Sequence, residues 1–190
     1  MGLEIDDDRL IRDALAGRPD AFGQLVTRYQ DRLFHAMKHI SGRHEDAYDV
    51  VQDAFVQAFV KLEDFRRTSA FYTWLYRIAF NIAASHRRRT KNNQSLDGEG
   101  ALRAGNLADA AASPGVRIEQ QETAAGVQAA LQSLAEEYRT VLVMREMDGC
   151  DYDTIAEVLD LPVGTVRSRL HRARAQMREL LKETLQIEKP

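Results

Sequence analysis

Residues 151–170 read "DYDTIAEVLDLPVGTVRSRL". Asp151 is placed to cap a short helix, with Ile155, Ala156 and Leu159 expected on its inner face. Ala156 is small, so a second helix can cross there closely. Asp160 and Leu161 supply a turn, and Pro162 fits the first turn of the next helix, where its missing N–H is not needed. Val163 and Val166 then pack back on the first helix. This is helix-turn-helix spacing, and it predicts a second helix whose N-terminal half is free to enter a major groove.

The cations bear on the same point. Arg167, Ser168, His171 and Arg172 lie at i, i+1, i+4 and i+5, on one face. An arginine there can donate two bonds to guanine, a discrimination of ~1–3 kcal/mol. Thr165, Arg169 and Arg174 lie to the sides, where phosphate contact is expected. Charge changes sign along the chain. Acids dominate from Glu136 to Asp160, whereas Glu179 is the lone acid from Val163 to Lys182. A plain solvated basic helix does not require turn, proline and charge switch to coincide.

Outward from this pair, apolar spacing is helical nearly throughout, with prolines only at 19, 114, 162 and 190. The fold class expected is all-α, as two helical domains joined by a flexible linker. Helices are expected at about 7–16, 20–40, 45–65 and 69–89, then at 116–133, 136–147, 152–159 and 163–185. The apolar stripe of the third helix is read as Val50, Val51, Ala54, Phe55, Ala58, Phe59 and Leu62. That of the fourth is read as Phe71, Trp74, Leu75, Ile78 and Ile82. Residues 91–115 lack both aromatics and an apolar stripe and read as a tether. The expected domains are therefore 1–90 and 116–190.

The chain has 190 residues, of which 44% are hydrophobic and 29% charged, with net charge −3. That is not a uniformly basic nucleic-acid coat; the placement of charge matters more than its sum. Cys150 is the only cysteine, so no internal disulfide forms, in keeping with a reducing cytosol. The acidic start, "MGLEIDDDRL", does not read as a signal peptide, and no apolar run approaches the ~20 residues of a membrane span. No membrane contact is expected, and the expected location is cytoplasmic.

The N-terminal half offers two less specific features. Asp46, Asp49, Gln52 and Asp53 gather on the first turns of the third helix, which suits either the helix dipole or a basic docking partner. On the fourth helix, Tyr72 and Tyr76 are expected to be exposed, with Asn81 nearby and Arg66, Arg67 and Arg77 alongside; exposed rings beside cations suit unstacked bases.

At this point three segments in order, "DVVQDAFVQAFVKLEDF", "SAFYTWLYRIAFN" and "PVGTVRSRLHRAR", closely resemble bacterial RNA polymerase sigma factors. The likeness is to the extracytoplasmic-function subfamily, sigma-E type, over about 7–89 and 123–182. The resemblance implies a first domain that binds the clamp helices of core polymerase and opens the minus-ten element. It implies a second domain that binds the minus-thirty-five element and touches the polymerase flap. Asp49, Gln52 and Asp53 stand where the family contacts the clamp. The loop Phe65, Arg66, Arg67, Thr68 and Ser69, with Asn81, stands where the family captures a flipped minus-ten base, and the exposed-ring reading adds Tyr72 and Tyr76 to that site. Arg167, Ser168, His171 and Arg172 stand where the family reads the minus-thirty-five element, and the lateral Thr165, Arg169 and Arg174 are counted with that site as phosphate contacts. The family's loop usually reads Phe-Arg-Gly, so Arg67 is a departure that bears on which base is captured. Cys150 and Asp151 replace a usual Leu-Ser. An anti-sigma partner is implied, and the free protein is expected to be a monomer.

Two other classes compete. A stand-alone helix-turn-helix regulator would bind DNA without polymerase. A metalloenzyme would use His35, His39 and His44, but Ala36, Met37 and Lys38 fill the first gap and the catalytic glutamate of a zinc-protease helix is absent. The expectation is a protein that is not an enzyme, with no metal and no cofactor.

Overall fold

The computed structural model describes residues 6–96 and 114–184, all of its regular structure helical. The chain divides into two compact units: residues up to 101 except 39–44, and residues 39–44 with 102–190.

In the first unit, α1 (Asp7–Leu15) is capped by Asp6, whose carboxylate accepts from Asp8 N–H at 3.3 Å. Gly17 ends it at φ 84°, a left-handed conformation in which a Cβ would be strained. α2 (Pro19–Ser41) starts on its proline. α3 (His44–Val60) leads into a 3₁₀ turn, Leu62–Asp64, and then a loop to α4 (Phe71–Leu96). α4 thus runs six residues into the stretch expected to be tether. The rest of that stretch, up to residue 113, lies outside the described residues. Leu10, Ile11, Leu25, Leu33, Val50, Ala54, Leu62 and Leu75 form the core.

Two stripes differ from expectation. Phe59, read as buried, is half exposed, although its ring meets Phe22 edge-on at 5.0 Å. On α4 the buried face is rotated by part of a turn. Tyr72 and Tyr76, expected to be exposed, are buried, at 7% and 1% exposure, whereas Trp74 and Ile78 are only partly covered. The cause lies on α2: Tyr72 stacks on Tyr29 at 5.4 Å and receives the Arg32 guanidinium at 4.1 Å from its ring centre. Tyr76 packs edge-on against Tyr72 at 5.7 Å.

The second unit consists of α5 (Pro114–Ser133), α6 (Glu136–Glu146), α7 (Tyr152–Leu159) and α8 (Val163–Thr184). α6 is buried without interruption from Thr140 to Met144. Ile155, Val158, Val166, Leu170 and Ala173 close the core over it. Val158, not Leu159, is the buried residue at the end of α7.

Candidate nucleic-acid interface and docking face

The helix pair α7–α8 is built from local signals. Asp151 Oδ1 accepts from Thr154 N–H at 2.7 Å, and that bond holds its carboxyl below the usual range. Arg145 steadies the approach to α7 by donating to Cys150 O at 2.8 Å, with its guanidinium 5.2 Å from the Tyr152 ring centre. α7 ends at Asp160, which adopts φ 52° and donates its N–H to Ala156 O. An aspartate tolerates this left-handed state better than most non-glycine residues. Pro162 stands one residue before α8, not in its first turn. Its carbonyl accepts the first helical bonds, from Thr165 N–H at 2.8 Å and Val166 N–H at 3.1 Å.

α8 presents Arg167, Ser168, His171 and Arg172 to solvent, all exposed, on the side away from buried Val166, Leu170 and Ala173. The Ser168 hydroxyl donates back to Thr165 O at 2.9 Å. Thr165 is partly covered. Arg169 and Arg174, expected at phosphates, are each paired with an acid on α6. Arg169 Nη2 lies 2.6 Å from Glu137 Oε2, and Arg174 donates Nε and Nη2 to Glu146 Oε1 at 2.9 and 2.6 Å. These pairings were not legible in the sequence, since partners on another helix carry no local signal.

An apolar groove of about 570 Å³ opens between α5, α6 and α8. Leu131, Leu142, Val143, Met147, Met177 and Leu181 line it, with Glu146, Arg174, Arg178 and Lys182 among its walls.

In the first unit, Asp49, Gln52 and Asp53 are exposed on α3 as the spacing predicts. The sequence reading missed the rest of their stripe. Tyr48, Val56, Phe59 and Val60 are 62%, 58%, 50% and 74% exposed. At helical spacing these residues form one continuous face, acidic toward the N-terminus and apolar toward the C-terminus. Their signal was present as surplus: α3 has more apolar residues than one buried stripe can use. Asp53 Oδ2 also lies 3.5 Å from His86 Nε2 on α4.

The loop before α4 is built on rings. Phe65 meets Phe71 edge-on at 5.9 Å and Trp74 at 5.0 Å, and remains partly open to solvent. Arg66, Arg67 and Thr68 are exposed and Ser69 is partly covered. Arg67 adopts φ 56°. The backbone therefore keeps the left-handed turn that a glycine would take freely, at a cost of ~1–2 kcal/mol for a residue with a Cβ. Asn81 is exposed further along α4, and its carbonyl accepts from Ser85 Oγ at 2.8 Å. Tyr72 and Tyr76, being buried, present no ring face to solvent and act instead as the packing beneath this surface.

His35 Nδ1 lies 2.6 Å from Asp31 O. Among the described residues, no three His, Cys, Asp or Glu side chains gather in a way that would hold a metal ion. No helix among them is long and apolar enough to cross a membrane.

Residues 25–93 match the family described as Sigma-70 region 2, and residues 125–177 match Sigma-70, region 4. The RNA polymerase sigma-H factor of Pseudomonas aeruginosa is 37% identical over 190 residues, covering 97% of this chain and 98% of that protein. The ECF RNA polymerase sigma-E factor of Escherichia coli is 37% identical over 182 residues, covering 92% and 93%. Among solved structures, CnrH in complex with the cytosolic domain of CnrY superposes with a TM-score of 0.69 at 32% identity, over 94% of this chain and 99% of that one. With both regions present in order and relatives matched nearly end to end, the chain belongs to the sigma-70 family of RNA polymerase sigma factors, in its extracytoplasmic-function group.

Proposed function

We propose that this sigma factor joins core RNA polymerase through the exposed face of α3 and directs it to promoters with α8 and the Phe65–Ser69 loop. The observation that carries the reading is the α3 stripe. Asp49, Gln52 and Asp53 offer charge to a basic helix, and Val56, Phe59 and Val60 offer apolar area beside it. Large exposed apolar patches mark interaction sites, and the acids beside this one suit a basic partner.

Arg167, Ser168, His171 and Arg172 read the minus-thirty-five element as duplex, while Thr165 lies beside them. Phe65, the loop cations and Asn81 receive an unstacked minus-ten base; trapping it offsets part of the few kcal/mol that each unstacked step costs. The flap contact fits the groove between α5, α6 and α8, whose methionines adapt to an incoming apolar side chain. CnrH was solved in complex with the cytosolic domain of CnrY. In keeping with what family membership implies, this chain has an anti-sigma partner that covers the same docking surfaces, and it is a monomer when neither partner is bound.

The test is Asp53→Lys in the full-length protein. The residue is exposed, so the unit should fold with a change of a few tenths of a kcal/mol. Like charges juxtaposed at the interface cost several kcal/mol. The expected result is a folded protein, with the parent's melting temperature, that no longer co-purifies with core polymerase or supports transcription. Normal co-purification and transcription would remove α3 from the docking role.

A further inference from the structure

The loop between the 3₁₀ turn and α4 carries one residue in a conformation its side chain disfavours. Among the described residues only Arg67 and Asp160 are non-glycine residues with positive φ. Asp160 has an evident task, ending α7 in the helix-turn-helix. Arg67 ends no helix. Strained backbone of this kind persists only where the surroundings impose it, and it gathers at functional sites.

The left-handed turn leaves the Arg67 side chain 38% exposed, on a loop whose Phe65 ring rests on Phe71 and Trp74. Its one ion-pair neighbour among the described residues is Asp8 on α1. Arg67 Nε stands 3.8 Å from Asp8 Oδ1, and that carboxylate is 51% exposed. The separation is too long for a hydrogen bond, so the contact biases where the guanidinium rests without fixing it. A loosely held cation two residues along the loop from a partly open aromatic ring suits a single strand: the ring takes a base face, and the cation takes the adjoining phosphate.

We infer that Arg67 binds a backbone phosphate of the displaced strand beside the captured base, and that Asp8 is its resting partner, released when DNA arrives. The inference rests on the minus-ten reading of this loop. It gives the loop an electrostatic hold that does not depend on base identity, where glycine would supply only backbone freedom. It also gives α1 a part in the site, since Asp8 competes with phosphate for the same guanidinium.

The experiment uses core polymerase reconstituted with the full-length protein. The probe is fork-junction DNA, a duplex bearing a mixed-sequence single-stranded overhang, with the blunt duplex as control. Affinity is followed from about 50 to about 200 mM salt. Arg67→Asn keeps a residue that tolerates the left-handed turn but removes the charge. Its log–log salt slope on the fork should flatten by about 0.7, the share of one cation on single-stranded DNA; across that salt range this is roughly a 2.5-fold difference. Arg67→Lys should retain the wild-type slope. Asp8→Asn should tighten binding to the fork and leave the blunt duplex unchanged. An Arg67→Asn slope equal to wild type, with the fork still preferred, overturns the phosphate role alone. A wild-type complex that binds fork and blunt duplex equally overturns the minus-ten reading, and this inference with it.

Discussion

Arg174 lays two nitrogens on one oxygen of Glu146, Nε at 2.9 Å and Nη2 at 2.6 Å, across the α6–α8 packing. The bond to Glu146 raises the guanidinium's pKa, so the cation is permanent, but its charge is already answered. A phosphate would have to compete for it. Each freely offered cation contributes about 0.9 to the salt slope on duplex DNA. Arg174→Ala should therefore flatten the slope by clearly less than that, while Glu146→Gln should steepen it. Arg172 has no ion-pair partner among the described residues and lies on the exposed face. Arg172→Ala should relax base preference at one position by ~1–3 kcal/mol in a selection from random duplexes. A full-unit loss with Arg174→Ala, and no gain with Glu146→Gln, would return Arg174 to the phosphate contacts.

Tyr29 titrates late. Its hydroxyl donates to Asp7 Oδ2, tying α2 to α1. Burial, followed by the Asp7 carboxylate, raises its pKa from 10.0 to about 12. The native state thus holds this proton when the unfolded chain has begun to lose it. The stability that follows is complete below about pH 10 and disappears as pH rises through about 12. In an ultraviolet titration, Tyr29→Phe should remove one of the six tyrosines' contributions from the late part of the absorbance change, which in the parent coincides with a falling melting temperature. Asp7→Asn should bring that step only part of the way back, because burial is the larger cause. A Tyr29→Phe protein with the same late step would refute the assignment.

The helix-turn-helix was legible because its signals are local. A capping aspartate, a small residue at the crossing and a proline beyond the turn lie within a dozen positions, and α7 spans the expected residues. The order of the two units was legible from the resemblance. What was illegible is set by partners distant in the chain. Phe71, Tyr72, Trp74 and Tyr76 all fit some helical stripe, and only Tyr29 and Arg32 on α2 decide that the tyrosines turn inward. The change from acid to base between Glu136 and Lys182 was visible. That Glu137 and Glu146 would hold Arg169 and Arg174 was not. At Arg67 the residue type argued for a changed loop, yet the backbone kept the left-handed turn.

α6 begins on Ala135, which offers no side-chain acceptor to the first-turn N–H groups. The residue is exposed and its backbone is already extended, at ψ 143°. Ala135→Ser should supply the missing acceptor and stabilise the second unit by ~1 kcal/mol, read as a higher denaturant midpoint at constant m value. DNA affinity should not change. An unchanged midpoint would mean that solvent already satisfies these groups at no net cost.

The apolar end of the α3 face can be tested without touching charge. Val56 is 58% exposed, between Asp53 and Phe59 on the same stripe. Glutamine is a better helix former than valine by a few tenths of a kcal/mol, so Val56→Gln should fold at least as well as the parent. An interface that excludes water is less forgiving. A buried amide without a partner costs ~1–3 kcal/mol, which lowers affinity roughly five- to 150-fold. Stability and docking should therefore move in opposite directions: an equal or higher melting temperature, and reduced retention by immobilised core polymerase. Asp53→Lys fails by repulsion, whereas Val56→Gln fails by desolvation, and only the second should be insensitive to salt. If Val56→Gln is retained as well as the parent at every salt concentration, then the polymerase is engaged by the acidic end of α3 alone, and the exposed Val56, Phe59 and Val60 belong to a different partner.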